Sequence, residues 1–389
     1  MNMKKLLSFF FALSLPLLSG CSFRRPPELS ERLIIEAIGV DKTETGFAVT
    51  VQSLNDLAVG ADEGTPEGGV TKCCTLYGTT VAEALASVSE ETGLSPLYSQ
   101  ARLLVLGYET ARDALPEALD FFLRGQNTRA DIAVAVAARS AAEIAAADFG
   151  KDRVGADVLT DMLEAGEENG TAIGVPLYRF MDLLLSETDA AYCPLLAVKE
   201  ETASDGEGAE CIGTVLFDGT IIRTSLTKEE TFPLRILTEQ LNGATFAVLS
   251  DHVACTLRVT RKNTKIRVLK TPENARFCLQ IDVKCDITDL SFRGDPEFLP
   301  LDPDLVRAVS DAASRLLTER ISGTLGRCFY ENGCDVCRFR QRLRLRYPTL
   351  YRALAAQGRL SPADLPCEIE CRVSIRRTGK EVLREGDRQ

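Results

Sequence analysis

Tryptophan is absent from the 389-residue chain, and histidine occurs once, at His252. A single histidine excludes multi-histidine metal sites. Ser250, Asp251 and His252 are consecutive, so their side chains point in different directions and cannot assemble a hydrolytic triad. Positive charge is also short, with 45 Lys and Arg against 56 Asp and Glu, for a net charge of −11. Such a chain is no general nucleic-acid binder, because neutralising phosphates needs cations. Nor does it suit flat adsorption to an anionic lipid surface. The P-loop, G-x-G-x-x-G, G-x-S-x-G and H-E-x-x-H patterns are all missing. Beyond residue 20 no apolar run approaches the roughly 20 residues a membrane-spanning helix needs. What remains is ordinary globular material, 45% apolar and 26% charged, long enough for two or three domains.

The amino end is the distinctive part. Lys4 and Lys5 precede an apolar run from Leu6 to Leu18, then Ser19, Gly20 and Cys21. A basic start, a short apolar segment and small residues before a cleavage point make a secretory leader. Leu18-Ser19-Gly20-Cys21 resembles the lipobox of bacterial lipoproteins. That resemblance implies cleavage before Cys21 and a diacylglycerol thioether on it. Each buried CH₂ contributes about 0.8 kcal/mol, so two or more acyl chains anchor stably where one does not. Removing the leader removes two positive charges, which takes the mature body from −11 to −13.

Along the body, Leu33 to Asp41 reads as a strand, followed by alternation from Phe47 to Ser53, and the two form a hairpin. Val70 to Tyr77 is a third strand. Thr80 and Glu83 fit a capping box that starts a helix ending before Gly93. Arg102 to Gly107 and the Ile132, Val134, Val136 stretch are strands, separated by a helix from about Ala111 to Arg124. Ala141 to Phe149 is a short helix. Residues 151–198 contain two helices, Val154 to Glu167 and Leu177 to Ser186, and a strand from Pro194. Residues 199–210, KEETASDGEGAE, are polar and acidic and read as the main linker. Beyond it, Ile212 to Phe217 and Thr220 to Thr224 flank an Asp218-Gly219 turn. Thr227 and Glu230 form a second capping box. Strands at Thr245–Ser250, Val253–Thr260, Lys265–Leu269 and Arg276–Ile287 follow, the middle pair turning at Lys262-Asn263. Asp304 to Tyr330 carries the clearest helical stripe, and Cys367 to Ile375 closes the body as a strand.

These elements define an α+β class: a multi-domain mixed α/β body, with mainly antiparallel or mixed sheets flanked by helices, behind a lipoprotein signal peptide. The expected divisions are a leader at 1–20, a tether at 21–30 and an N-terminal α+β domain at 31–150. A mostly helical subdomain at 151–198 and the acidic linker at 199–210 follow. A C-terminal α+β domain at 211–379 and a tail at 380–389 complete the chain.

Several segments, in order, resemble the Ger(x)C lipoproteins, the C subunits of spore nutrient-germinant receptors. They are Ala37-Ile38-Gly39-Val40-Asp41 and the strand Phe47-Ala48-Val49-Thr50-Val51-Gln52. Gly78-Thr79-Thr80 opens a helix with Glu83-Ala84-Leu85, and Leu103-Leu104-Val105-Leu106-Gly107 precedes the helix with Leu119-Asp120-Phe121-Phe122-Leu123-Arg124. Asp335-Val336-Cys337-Arg338-Phe339, then Tyr347-Pro348-Thr349-Leu350-Tyr351, resembles the family's Asp-x-x-Gly-Phe-Gly and Pro-x-x-Trp segment. The chain departs from the pattern in three places. The Trp-Asp that typically follows the lipid cysteine is absent, and the glycines and tryptophan of the late segment are replaced. The resemblance implies a three-domain α/β body, held by lipid on Cys21 at the outer face of the spore inner (cytoplasmic) membrane. It implies two membrane-embedded partners, the A and B subunits, one of which holds the germinant. It supplies no catalytic residue, no cofactor and no metal, and the chain is expected not to be an enzyme.

Two stretches could carry chemistry of their own. Cys334-Asp335-Val336-Cys337, with Cys367 and Cys371, admits a zinc site, a disulfide or free buried thiols. The second pair is a C-x₃-C on a strand, where residues four apart lie roughly 13 Å apart along the chain. That spacing weakens the zinc reading. Arg338, Arg340, Arg342, Arg344 and Arg346 form the one dense basic run. On a strand all five would share a face. Val336, Phe339, Leu343 and Tyr347 favour a helix instead, with Asp335 as N-cap and Pro348 near its end. Its two readings are a contact with anionic headgroups or an acidic partner, and a solvated helix flank. The competing whole-chain function is a lipoprotein that captures a solute for a transporter. Two similar lobes with parallel sheets would mark that, whereas the halves here read as dissimilar α+β.

Overall fold

The structure, a computed structural model, describes residues 28, 31–55, 69–125, 128–199, 208–238, 241, 243–250, 253–271, 274–292 and 303–377. Cys21, the leader, residues 56–68, His252, most of the acidic segment and the tail lie outside the described residues.

Strands β1 (Arg32–Lys42), β2 (Phe47–Leu54), β3 (Thr71–Gly78), β4 (Ser95–Leu97), β5 (Leu103–Leu106), β6 (Ala133–Ala137), β7 (Ala190–Val198), β8 (Ala209–Asp218) and β9 (Ile221–Thr227) form the first sheet. Its order is β3-β2-β1-β5-β6-β7-β8-β9, with β4 paired to β1. The middle strands β1, β5, β6 and β7 run parallel. Antiparallel pairs extend the sheet on both sides. Parallel strands need crossover helices, and these cover both faces, which is why every residue of β5, LLVL, is buried.

Period-2 alternation sorts the two faces. Ile38, Val40, Leu104, Leu106, Val134 and Val136 join the larger core, against helices α1 (Val81–Ala86), α2 (Val88–Thr92), α3 (Tyr108–Asp113) and α4 (Leu115–Arg124). Ala37, Leu103, Val105, Ala135 and Ala137 face α5 (Ala141–Ala145) and α6 (Gly155–Asn169). The small residues on this second face let α5 lie close to the sheet. A Cβ at Gly39 would sit 3.0 Å from the Ala141 carbonyl oxygen. Helix α7 (Leu177–Leu184) precedes β7, and α8 (Lys228–Thr238) follows β9.

The acidic segment joins β7 to β8, which pair antiparallel from Ala190 opposite Asp218 to Val198 opposite Ala209. The first sheet therefore continues across it.

The second sheet has the order β10-β11-β12-β13, from β10 (Thr245–Ser250), β11 (Val253–Lys270), β12 (Ala275–Phe292) and β13 (Cys367–Arg377). Helix α9 (Pro303–Leu325) buries Val309, Ala313, Leu317 and Ile321 against it. The Val309, Leu317 and Ile321 side chains each contribute about 1.5–3 kcal/mol by this burial. A π turn, Gly326–Glu331, extends α9, and two short helices, α10 (Phe339–Arg346) and α11 (Pro348–Ala356), follow before β13 pairs in parallel with β12. The expected mixed α/β body with mixed sheets flanked by helices is found, and the structure resolves it into two sheets.

Two expectations are overturned. Asp335 is not the N-cap of α10, because the chain turns between Gly333 and Arg338, which places Arg338 at the cap and starts the helix at Phe339. Lys262-Asn263 is not a turn, because β11 runs unbroken through it, bent by irregularities at Thr256/Leu257 and Val259/Arg261. Lys262 is buried, and its Nζ donates to the Ile236 carbonyl at 2.7 Å, beside the Thr264 hydroxyl at 3.1 Å. The last carbonyls of a helix have no partner within it. Polar residues in mid-strand here satisfy the end of α8.

Candidate interaction site at the arginine-rich helix

The site is built on Asp335, which is 1% exposed. Gly333, at φ 73°, turns the chain, and the Cys334 amide donates to the Cys328 carbonyl at 2.8 Å. This carries Asp335 under the start of α10. Its Oδ1 accepts the Phe339 amide and its Oδ2 the Arg340 amide, both at 2.8 Å. Arg340 folds back over it, with Nη2 donating to the Gly333 carbonyl at 2.7 Å and Nε 3.5 Å from Asp335 Oδ2. The Asp335 carbonyl in turn accepts the Ala190 amide of β7 at 3.3 Å. Burial pushes the Asp335 carboxyl up to about 6, against the pull of the two amides and Arg340. Phe339 fills the space behind, its ring centroid 4.4 Å from Phe277 and 5.2 Å from Phe329. Those rings tie the turn to β12 and to the π turn.

The arginine run is helical from Phe339 to Arg346, so its five guanidiniums do not share one face. Arg338 Nε faces Asp189 Oδ2 at 3.4 Å. Arg340 is spent on the turn. Arg342 Nε donates to the Cys337 carbonyl at 3.2 Å. Arg344 reaches the exposed Glu187 at 3.3 Å, and Arg346 lies over the Tyr347 ring at 5.8 Å. Arg338 and Arg342 meet Arg179 of α7 and Tyr192 of β7 at one cleft. The sequence offered no signal for that meeting, since Arg179 and Tyr192 are isolated residues more than a hundred positions away.

A second carboxylate site lies at the carboxyl ends of the parallel strands, where open α/β sheets commonly take ligands. Here the chain's own Asp41 occupies it. Its oxygens accept the Ser140 hydroxyl at 2.8 Å and the amides of Ala141 and Ala142 at 2.8 and 2.9 Å. A Cβ at Gly107 would overlap Asp41 Oδ1, so glycine at the end of β5 makes room for the carboxylate.

The twelve cysteines among the described residues are all free thiols. Cys334 and Cys337 are buried, and burial pushes Cys334 up to about 12 and Cys337 well above the ordinary thiol range. Cys367 is likewise raised to about 12. These groups stay protonated at neutral pH, and the thiolate is the nucleophile and metal ligand. Among the described residues no group of three or more His, Cys, Asp or Glu is placed to hold a metal ion, and no helix is long and apolar enough to cross a membrane.

Two helix-flanked mixed sheets of this order define a known class of body. The fold is similar to the crystal structure of the GerBC protein, with a TM-score of 0.55 at 15% identity, over 87% of this chain and 96% of that one. A spore germination protein N-terminal domain model matches residues 26–198, and a spore germination B3/GerAC-like C-terminal model matches residues 212–379. The chain belongs to the GerAC/GerBC-like family of spore germination proteins, of the C-subunit type. It is also similar to the spore germination protein GerQC of Bacillus cereus, 22% identical over 237 residues. That match spans 60% of this chain and 64% of the relative, less than two thirds of the relative's length.

Proposed function

We propose that this chain is a lipid-anchored, non-enzymatic subunit of a spore nutrient germinant receptor. It scaffolds or relays the germination signal beside membrane-embedded A and B subunits. The observation that carries this reading is the ordered match of two spore germination models to the two halves of the chain. The amino end supports the anchor: Lys4 and Lys5, an apolar run and Leu-Ser-Gly-Cys ending at Cys21. Two or more acyl chains on Cys21 would hold an acidic body that an anionic lipid surface repels. On this reading the body sits on the outer face of the spore inner membrane and works by presenting surfaces rather than by turning over a substrate.

The test is made in spores. Cys21→Ala is expected to leave a folded body that moves from the membrane fraction to the soluble fraction, with a weakened nutrient response. Spores lacking the chain are expected to lose the response to at least one nutrient. Normal germination of such spores on every nutrient would overturn the receptor role. Continued membrane retention of the Cys21→Ala body would overturn the lipid anchor.

A further inference from the structure

We propose that the α10–α11 hairpin docks on an anionic lipid surface and so fixes which side of the tethered body faces the membrane. The inference rests on the lipid-anchor reading for the tether and adds a second contact to it.

Charge is the first observation. Residues 336–363 hold seven arginines and no Asp or Glu, in a chain whose net charge is −11. Acids answer three of them: Asp189 faces Arg338, Asp335 faces Arg340 and Glu187 faces Arg344. Arg342, Arg346 and Arg352 touch neutral groups instead, the Cys337 carbonyl, the Tyr347 ring and the Pro348 carbonyl. Such contacts leave the guanidinium charge in place. Lys270, 5.9 Å over the same Tyr347 ring, adds another cation. At physiological salt, charges more than about 8 Å apart are largely screened. The arginines nearest the lipid therefore decide the attraction, and the acidic remainder of the body does not.

Shape is the second. Arg344, Leu345 and Arg346 are all exposed, and consecutive helical residues stand about 100° apart. The end of α10 is therefore open around more than half its circumference. Helix α11 buries Leu354 alone. Leu185 and Leu345, at 77% and 74%, are the two most exposed large apolar residues among the described ones. The Arg344–Glu187 ion pair joins the segments that carry them. Leucine and arginine side by side suit the headgroup boundary, where apolar side chains enter and cations meet phosphates.

Placement favours lipid over an acidic protein. Strands β1, β5, β6 and β7 run parallel, so their starts share one end of the sheet. The chain arrives from Cys21 at that end, where β1 opens at Arg32. The hairpin is held at the same end. The Asp335 carbonyl accepts the Ala190 amide that opens β7, and Arg338 and Arg344 meet Asp189 and Glu187 just before it. Three strand spacings separate β1 from β7, about 14 Å. The eleven residue steps from Cys21 to Arg32 reach at most about 40 Å. A lipid on Cys21 thus leaves the hairpin within range of the same surface.

The chain has no tryptophan, so Leu345→Trp is a single reporter at an exposed position. Tyr77→Trp, also exposed, reports from the opposite end of the sheet. The lipid-modified chain is placed in vesicles of brominated phosphatidylcholine, with or without about one third phosphatidylglycerol. Bromine should quench Leu345→Trp several-fold more than Tyr77→Trp, only with phosphatidylglycerol present. The difference should shrink at about 1 M salt, where the Debye length is about 3 Å. Arg346→Gln and Arg352→Gln should each lower the ratio of docked to undocked chain by about fivefold. Flotation on pure phosphatidylcholine vesicles reads the anchor separately; if it fails, the reporters still read docking on the anionic vesicles. Equal quenching of the two reporters overturns the proposal. So does a Leu345→Trp signal indifferent to phosphatidylglycerol and to both arginine substitutions, which would leave the hairpin to an acidic protein.

Discussion

Asp41 and Asp335 do the same chemical task at two ends of the molecule, under opposite conditions. Each accepts two successive backbone amides at the start of a short helix, α5 for Asp41 and α10 for Asp335. Helix starts leave amides without partners, and a carboxylate is a strong acceptor for them. Asp335 reaches amides four and five residues ahead, whereas Asp41 reaches amides about a hundred residues away. Asp335 is buried under its own Arg340, while Asp41 is half-buried, with Ser140 sharing the cap. The first closes a local turn that docks the arginine-rich helix. The second staples a strand end to a crossover helix and fills the crevice an open parallel sheet leaves. Local closure takes the carboxylate out of water, so its loss should be dear. Remote closure leaves water at hand to replace it.

The largest effect should follow from Asp335→Ala. It strips two amides of their acceptor and leaves Arg340 without its carboxylate. Removing one partner of a buried charged pair typically costs about 3–5 kcal/mol. Urea unfolding at neutral pH should show this as a lower midpoint with an unchanged slope. A cost below about 1 kcal/mol would mean that α10 docks through Phe339 alone.

The difference in burial also predicts a difference in pH behaviour. The Asp335 carboxyl is raised by desolvation to about 6 in the fold, while in the unfolded chain it titrates at about 3.9. Between these values the folded state holds a proton that the unfolded state has released. Stability from this group is therefore fully present below about pH 4 and falls as pH rises through 6, by roughly 2–3 kcal/mol. Subtracting the unfolding free energies of Asp335→Ala from those of the wild type at each pH isolates this group from the others. The gap should narrow from pH 4 to pH 6. A gap that is flat or widens would show that the two amides and Arg340 outweigh burial.

The same contrast explains what was legible in the sequence. Thr80 and Glu83, Thr227 and Glu230, and Asp335 with α10 act within a few residues of themselves, so spacing alone exposes them. Both capping boxes bond at their helix starts, Glu83 N to Thr80 Oγ1 at 3.1 Å and Glu230 N to Thr227 Oγ1 at 3.3 Å. The long apolar stripe of α9 and the alternation of β2 are local in the same sense. Asp41 shows only as the end of a Gly-Val-Asp strand, because its partners Ser140 to Ala142 are far away in sequence. Lys262 misleads for a related reason. A polar Lys-Asn pair marks a turn when its neighbours are solvent, but here the carbonyl of Ile236 from another element consumes the ammonium. The arginine run reads correctly as a helix from its own apolar spacing. Its meeting with Arg179 depends on how the first sheet sits against the second, which no local pattern encodes.

A smaller, sharper test belongs to Asp41. Asp41→Ala should cost about 0.5–2 kcal/mol, the usual range for a lost helix cap, because Ser140 still accepts the Ala142 amide at 3.1 Å. Gly107 supplies the partner for a double-mutant cycle. Its φ and ψ, −59° and 153°, suit any residue, so alanine there is opposed only by contact. Its Cβ would collide with Asp41 Oδ1. Gly107→Ala alone should therefore destabilise the protein, and it should cost less once Asp41 is already alanine. The coupling expected for residues in direct contact is about 0.5–3 kcal/mol. If the two costs simply add, the glycine is not there to admit the carboxylate, and the staple between β1 and α5 is held by Ala141 packing on Gly39 instead.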